Sequence, residues 1–176
     1  MRLLKAGDRI HGLGWEGKVT AVLDVNGCRV VITSSNPENV PKRVRGGGTV
    51  CELAFHDPVG GFAAYWVEPG HSEVTDVGLP EEGTCAVHIG NRWILAEVLE
   101  VGRRELSIRI PNVAIPGPGD AGAPVAQNER VVGMLYMYFL EDDCVGRAVR
   151  MDVIEERTER VLKHLRGRQR ARSVRP

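Results

Sequence analysis

Long apolar runs are missing from this chain. At the N-terminus Met1-Arg2-Leu3-Leu4-Lys5 gives way at once to Gly7-Asp8-Arg9, too short a stretch for a signal peptide. No segment approaches the roughly 20 apolar residues that a membrane-spanning helix needs. The expectation is a cytoplasmic protein with no membrane span and with reduced thiols. The four cysteines, Cys28, Cys51, Cys85 and Cys144, are widely spaced and never form Cys-x-x-Cys, so no zinc site and no bound metal are expected. Phosphate loops, dinucleotide fingerprints and calcium loops are also lacking, and no cofactor is expected. Helix-favouring runs are few.

What the chain does contain is glycine, 21 in 176 residues, and short segments rich in Val, Ile and Leu. That combination predicts an all-β protein. Asn26-Gly27 is the clearest hairpin turn, set between Val19–Leu23 and Cys28–Thr33. Pro37 to Gly48 reads as a polar loop. Strands are expected at Thr49–Phe55 and Phe62–Val67, then, after a connection from Gly70 to Gly83, at Thr84–Ile89, Trp93–Leu99, Glu105–Ile110, Val131–Phe139 and Cys144–Met151. Leu106, Ile108 and Ile110 alternate with polar residues, the period of a strand buried on one face. Trp66 and Trp93 are expected in the core, with Trp15 exposed. Tyr136, Tyr138 and Phe139 are expected either in the core or on a cleft wall. From Asp152, a candidate N-cap, Ile154, Thr158, Val161, Leu162 and Leu165 fall on one helical face.

Gly119-Asp120-Ala121-Gly122-Ala123-Pro124 carries the most information. Downstream, Val125-Ala126 passes through the turn Gln127-Asn128-Glu129-Arg130 into Val131-Val132-Gly133-Met134. The six residues resemble the nucleophile loop of trypsin-like serine proteases, Gly-Asp-Ser-Gly-Gly-Pro, with alanine where the serine would be. Order and spacing agree with that family from Gly12 to Leu165. The resemblance implies two six-stranded antiparallel β-barrels with a cleft between them and a closing C-terminal helix. The expected divisions are 1–75 for the first barrel, 76–151 for the second, 152–166 for the helix and 167–176 for a disordered basic tail.

Serine proteolysis needs a nucleophile, a base that takes its proton and an acid that orients the base. The family sequence Leu-Thr-Ala-Ala-His matches Ile32-Thr33-Ser34-Ser35-Asn36, which puts Asn36 at the base position. An amide does not titrate near neutrality. The strand that the family's acid opens matches Gly61-Phe62-Ala63-Ala64-Tyr65, which puts Gly61 at the acid position, with Asp57 four residues earlier. Asn36, Gly61 and Ala121 together therefore describe a degenerate triad. His56 and Asp57 offer a competing pair, but neighbours on an extended strand face opposite ways, and a surface turn before Pro58 is the plainer reading. His11, His71, His88 and His164 have no motif context and read as structural or exposed. The backbone through Gly119, Asp120, Ala121 and Gly122 can still present N–H groups to a carbonyl oxygen, although the methyl of Ala123 brings its shape into question.

The expectation is thus a pseudoprotease that binds a protein or peptide partner. The alternative from another class is an active serine endopeptidase trapped by a Ser-to-Ala change at position 121. A third reading comes from charge. The chain has 23 basic and 23 acidic residues, yet Lys163 to Pro176 holds Lys163, Arg166, Arg168, Arg170, Arg172 and Arg175 and no acid. The remaining body has 17 basic against 23 acidic residues, about −6. Such a tail can bind nucleic acid or an acidic partner, or simply be solvated.

Overall fold

The computed structural model describes residues 2–140 and 142–174, with the backbone alone for 166–174. In chain order the first half supplies β1 (Arg9–Gly12), β2 (Trp15–Lys18), β3 (Ala21–Val25), β4 (Cys28–Ser34), β5 (Arg43–Gly46), β6 (Thr49–Asp57) and β7 (Phe62–Val67). The second supplies β8 (Gly83–Ile89), β9 (Arg92–Val101), β10 (Glu105–Ile110), β11 (Pro124–Gln127), β12 (Arg130–Leu140) and β13 (Cys144–Arg150), and α1 (Met151–Val174) closes the chain. All ladders between these strands are antiparallel. The second half closes into a barrel in the order β10-β13-β12-β11-β8-β9. The first half forms seven strands in the order β2-β1-β5-β6-β7-β4-β3 and stays an open half-barrel. It has one strand more than expected and does not close. This remains the trypsin-like two-barrel architecture.

Strands β3, β4 and β7 bury both faces, which explains their nearly unbroken apolar runs. Along β3, β4 and β7, Leu23, Val30, Ile32, Phe62 and Ala64 face one cluster that also takes Met134, Met151, Ile154 and Leu162. The intervening Val22, Val31, Ala63 and Tyr65 face another with Ile10, Val44 and Cys51. The period of two sends neighbours to opposite sides. The first of these clusters joins the halves, because β12 and α1 lie against β3 and β4. The closed barrel has its own core around Val87, Val98, Leu106, Ile108 and Val125.

Several local expectations are corrected. The loop 37–48 contains β5, in which only Val44 and Gly46 are buried between exposed Arg43 and Arg45. Four residues are too few to show alternation. Trp66 and Trp93 are not core residues: 36% and 46% of their surfaces are exposed. Trp15 is half-buried against the core rather than exposed. Asp152 lies inside the first turn of α1, and its carboxylate takes two bonds of 3.0 Å from Arg150 instead of capping the helix. The helix backbone also runs beyond residue 166 to Val174, into the segment set apart as a disordered tail, since no proline interrupts it there. The side chains of Arg166, Arg168, Arg170 and Arg172, and all of Arg175, the residues of the basic-tail reading, lie outside the described residues. Among the described residues no helix is long and apolar enough to cross a membrane.

Candidate functional site

A loop of the second half is stitched into the first. Residues Pro118–Asp120 make one 3-10 turn, and the chain then crosses to β11. The Lys18 N–H donates to the Ala121 carbonyl at 2.8 Å, and the Thr20 hydroxyl donates to the Gly122 carbonyl at 2.6 Å. Gly122 sits at φ +86° where a Cβ would come within 2.9 Å of the Lys18 carbonyl and the Thr33 hydroxyl. Only glycine fits both that φ and that approach.

The loop is anchored by a buried ion pair that the sequence reading did not anticipate. Lys18 Nζ lies 2.8 Å from Asp120 Oδ1, with the lysine side chain fully buried and the aspartate 8% exposed. The ammonium also reaches the His88 carbonyl at 2.8 Å, the Gly90 carbonyl at 2.8 Å and His88 Nδ1 at 2.9 Å. A charged lysine donates, so His88 Nδ1 is the acceptor and its proton sits on Nε2. Trp93 covers the imidazole edge-on at 5.2 Å. The Asp120 carboxylate takes further N–H bonds from Gly90 at 2.9 Å and Gly117 at 2.7 Å. Burial pushes the Asp120 carboxyl up, but Lys18 and the two backbone donors outweigh it and leave it below its ordinary value. Burial lowers Lys18 despite Asp120, and burial followed by the Lys18 charge lowers His88. His88, expected to be merely structural or exposed, is thus half-buried within the anchor. The aspartate of the loop signalled a need for a cation; which cation meets it depends on how the halves dock.

Asn36, Gly61 and Ala121 lie together on one cavity of about 330 Å³, with Trp15, Ser35, Glu105 and Tyr136 on its other walls. The Asn36 side-chain carbonyl is occupied in its own turn, where it accepts the Glu38 N–H at 3.0 Å. Gly61 has φ +70°, strained for a residue with a side chain. Among the described residues the N–H groups of Gly119 and Ala121 donate to no protein acceptor. Ala123, whose methyl brought the shape of the loop into question, is fully buried and belongs to the second barrel's core. Tyr136 lines the cavity and donates to Glu105 at 2.7 Å. Burial and then that carboxylate push its phenol up to about 12, so it stays protonated.

The competing histidine does not join position 121. His56 belongs to β6, not to a surface turn, and its Nε2 meets Ser35 Oγ at 2.9 Å. No carboxylate bonds its other nitrogen among the described residues. Asp57 turns away to Arg157, 2.9 Å, and to the Gly60 N–H, 2.8 Å. Cys51, Cys85 and Cys144 are free thiols, and no cluster of His, Cys, Asp and Glu suits a metal among the described residues.

No family model matches the sequence, and the comparison with curated proteins finds no match. Solved structures do match. A serine-to-alanine mutant, inactive form, of Rv3671c from M. tuberculosis H37Rv superposes with a TM-score of 0.65 at 18% identity, over 85% of this chain and 82% of that one. A glutamic acid specific serine protease gives 0.71 at 13% identity over 88% and 97%. Protease A of Thermobifida fusca gives 0.68 at 9% over 89% and 96%. With these neighbours, and with an open half-barrel beside a closed six-stranded barrel, the chain has the fold of the chymotrypsin-like serine proteases.

Proposed function

We propose that this chain is a catalytically inactive relative of trypsin-like proteases that binds an extended segment of a partner protein in its former substrate cleft. The observation that supports this most is the shared cavity. The positions matching nucleophile, base and acid meet there, and they present a methyl, an amide engaged in its own turn and no side chain at all. None of the three can attack a carbonyl or take a proton. What persists is recognition. Two N–H groups are unclaimed beside Ala121. On β12, Met137, Tyr138, Phe139 and Leu140 pair with β13 on one edge, while on the other edge the backbone bonds to Gly122 and Ala123 end at Leu135. That open edge suits β-augmentation by an extended chain.

The experiment is a pull-down with the full chain and with Ala121→Trp, which puts an indole on the cavity wall and leaves the Lys18 and Asp120 side chains unaltered, with a urea midpoint to check that the variant is folded. Partners retained by the native chain and lost with the tryptophan variant support the reading. Equal retention by both, or none by either, contradicts it.

A further inference from the structure

The cavity at Ala121 does not end at Glu105. Glu105 also lines two adjoining cavities of about 420 and 410 Å³, which follow the β9–β10 turn toward α1. These are walled by five arginines, Arg103, Arg104, Arg147, Arg157 and Arg160, against three glutamates, Glu100, Glu105 and Glu156. On a body that is otherwise net acidic, such a local excess of cations is an electrostatic feature in its own right.

Most of the charges are already matched. Arg157 holds Asp57 at 2.9 Å, Arg160 holds Glu156 at 2.7 Å, and Glu105 is shared by Tyr136 at 2.7 Å and Arg147 at 3.4 Å. Arg103 and Arg104 are exposed and pair with no carboxylate among the described residues. Their turn is nevertheless fixed. The Gly102 N–H donates to the Glu105 carbonyl at 2.8 Å, the Arg150 N–H to the Arg104 carbonyl at 2.8 Å, and the Arg150 guanidinium to the Gly102 carbonyl at 3.0 Å. Two unmatched guanidinium groups therefore stand on a rigid turn at the end of the cleft, which lowers the ordering cost of using them.

We infer that the partner segment is an acidic peptide, with carboxylate side chains that leave the Ala121 cavity and meet Arg103 and Arg104. This rests on the proposed cleft binding and names its partner class. A nucleic acid fits less well. Its phosphates repeat without a break, and Glu100, Glu105 and Glu156 interrupt the arginines, whereas a peptide can place acids at chosen positions. Arginine forks also pair bidentately with carboxylates.

The test is fluorescence anisotropy with the full chain and three labelled probes: a twelve-residue peptide rich in Glu, its counterpart with Gln at each Glu, and a twelve-nucleotide oligo-dT. The expected result is tighter binding of the Glu peptide, weakened at least tenfold by Arg103→Glu/Arg104→Glu. The same charge change made elsewhere, Arg92→Glu/Lys42→Glu, should alter it less than twofold, and Arg103→Ala/Arg104→Ala should give an intermediate loss. Equal binding of Glu and Gln peptides, equal losses in both reversal variants, or preference for oligo-dT would overturn the inference while leaving cleft binding in place if Ala121→Trp abolishes the peptide signal. No binding of either peptide would overturn both.

Discussion

Lys18→Met should be the most damaging conservative-volume change in the molecule. Methionine keeps the length of the lysine stem but removes the cation. Asp120 would retain the Gly90 and Gly117 N–H groups, but its charge would face no counterion at 8% exposure. The carbonyls of His88 and Gly90 and the His88 Nδ1 atom would lose the ammonium whose three N–H groups they share with Asp120. Removing one member of a buried pair costs about 3–5 kcal/mol. For a chain of this size that corresponds to a Tm drop of about 6–20 °C. Urea unfolding followed by tryptophan fluorescence reads the loss. Adding Asp120→Asn to Lys18→Met should restore part of it, because the uncompensated charge is gone; the two changes should couple by about 1–3 kcal/mol. A Lys18→Met cost below about 1 kcal/mol, or strict additivity in the double variant, would refute the claim that this pair anchors the loop.

Three further expectations follow from the same geometry. Gly122→Ala combines a positive φ with a Cβ 2.9 Å from two oxygen atoms, and should cost about 2 kcal/mol or more in the same unfolding assay. Stability should fall on the acid side in two stages: His88 is held below its ordinary 6.5 and Asp120 below 3.8, so in both cases the unfolded chain takes up the proton first. The His88 loss should begin as pH drops below about 6.5, the Asp120 loss below about 3.8, and His88→Gln should flatten the first stage in a pH series of urea midpoints. Burial pushes the Cys51 thiol up to about 11 and the Cys85 thiol to about 12, so neither should react with a thiol reagent at pH 7.5 until the chain unfolds, as counted by intact mass.

Much of this architecture was legible because it is local. Asn26 and Gly27 both take positive φ and close β3 to β4, as their turn chemistry requires. Leu106, Ile108 and Ile110 are buried in the barrel, as their alternation indicated. Asn36, Gly61 and Ala121 were placed by motif spacing, and the chain brings them to one cavity. What the sequence hid depends on docking between distant segments. Lys18 lies 102 residues before Asp120 and carries no spacing signal. Trp66 and Trp93 look like core residues by composition, and only the sheet's pleat decides that they face outward. Strand β5 was obscured by arginines that alternate with just two buried positions.

The central claim is that the cleft binds without cutting, and Ala121→Ser tests it most directly. The purified variant is incubated with a broad peptide library, and cleavage products are read by mass spectrometry. No turnover above buffer is the expected result, since Asn36 cannot take the new hydroxyl's proton and His56 is engaged with Ser35. Hydrolysis restored by that one substitution, and lost again in Ala121→Ser/His56→Gln, would contradict the account.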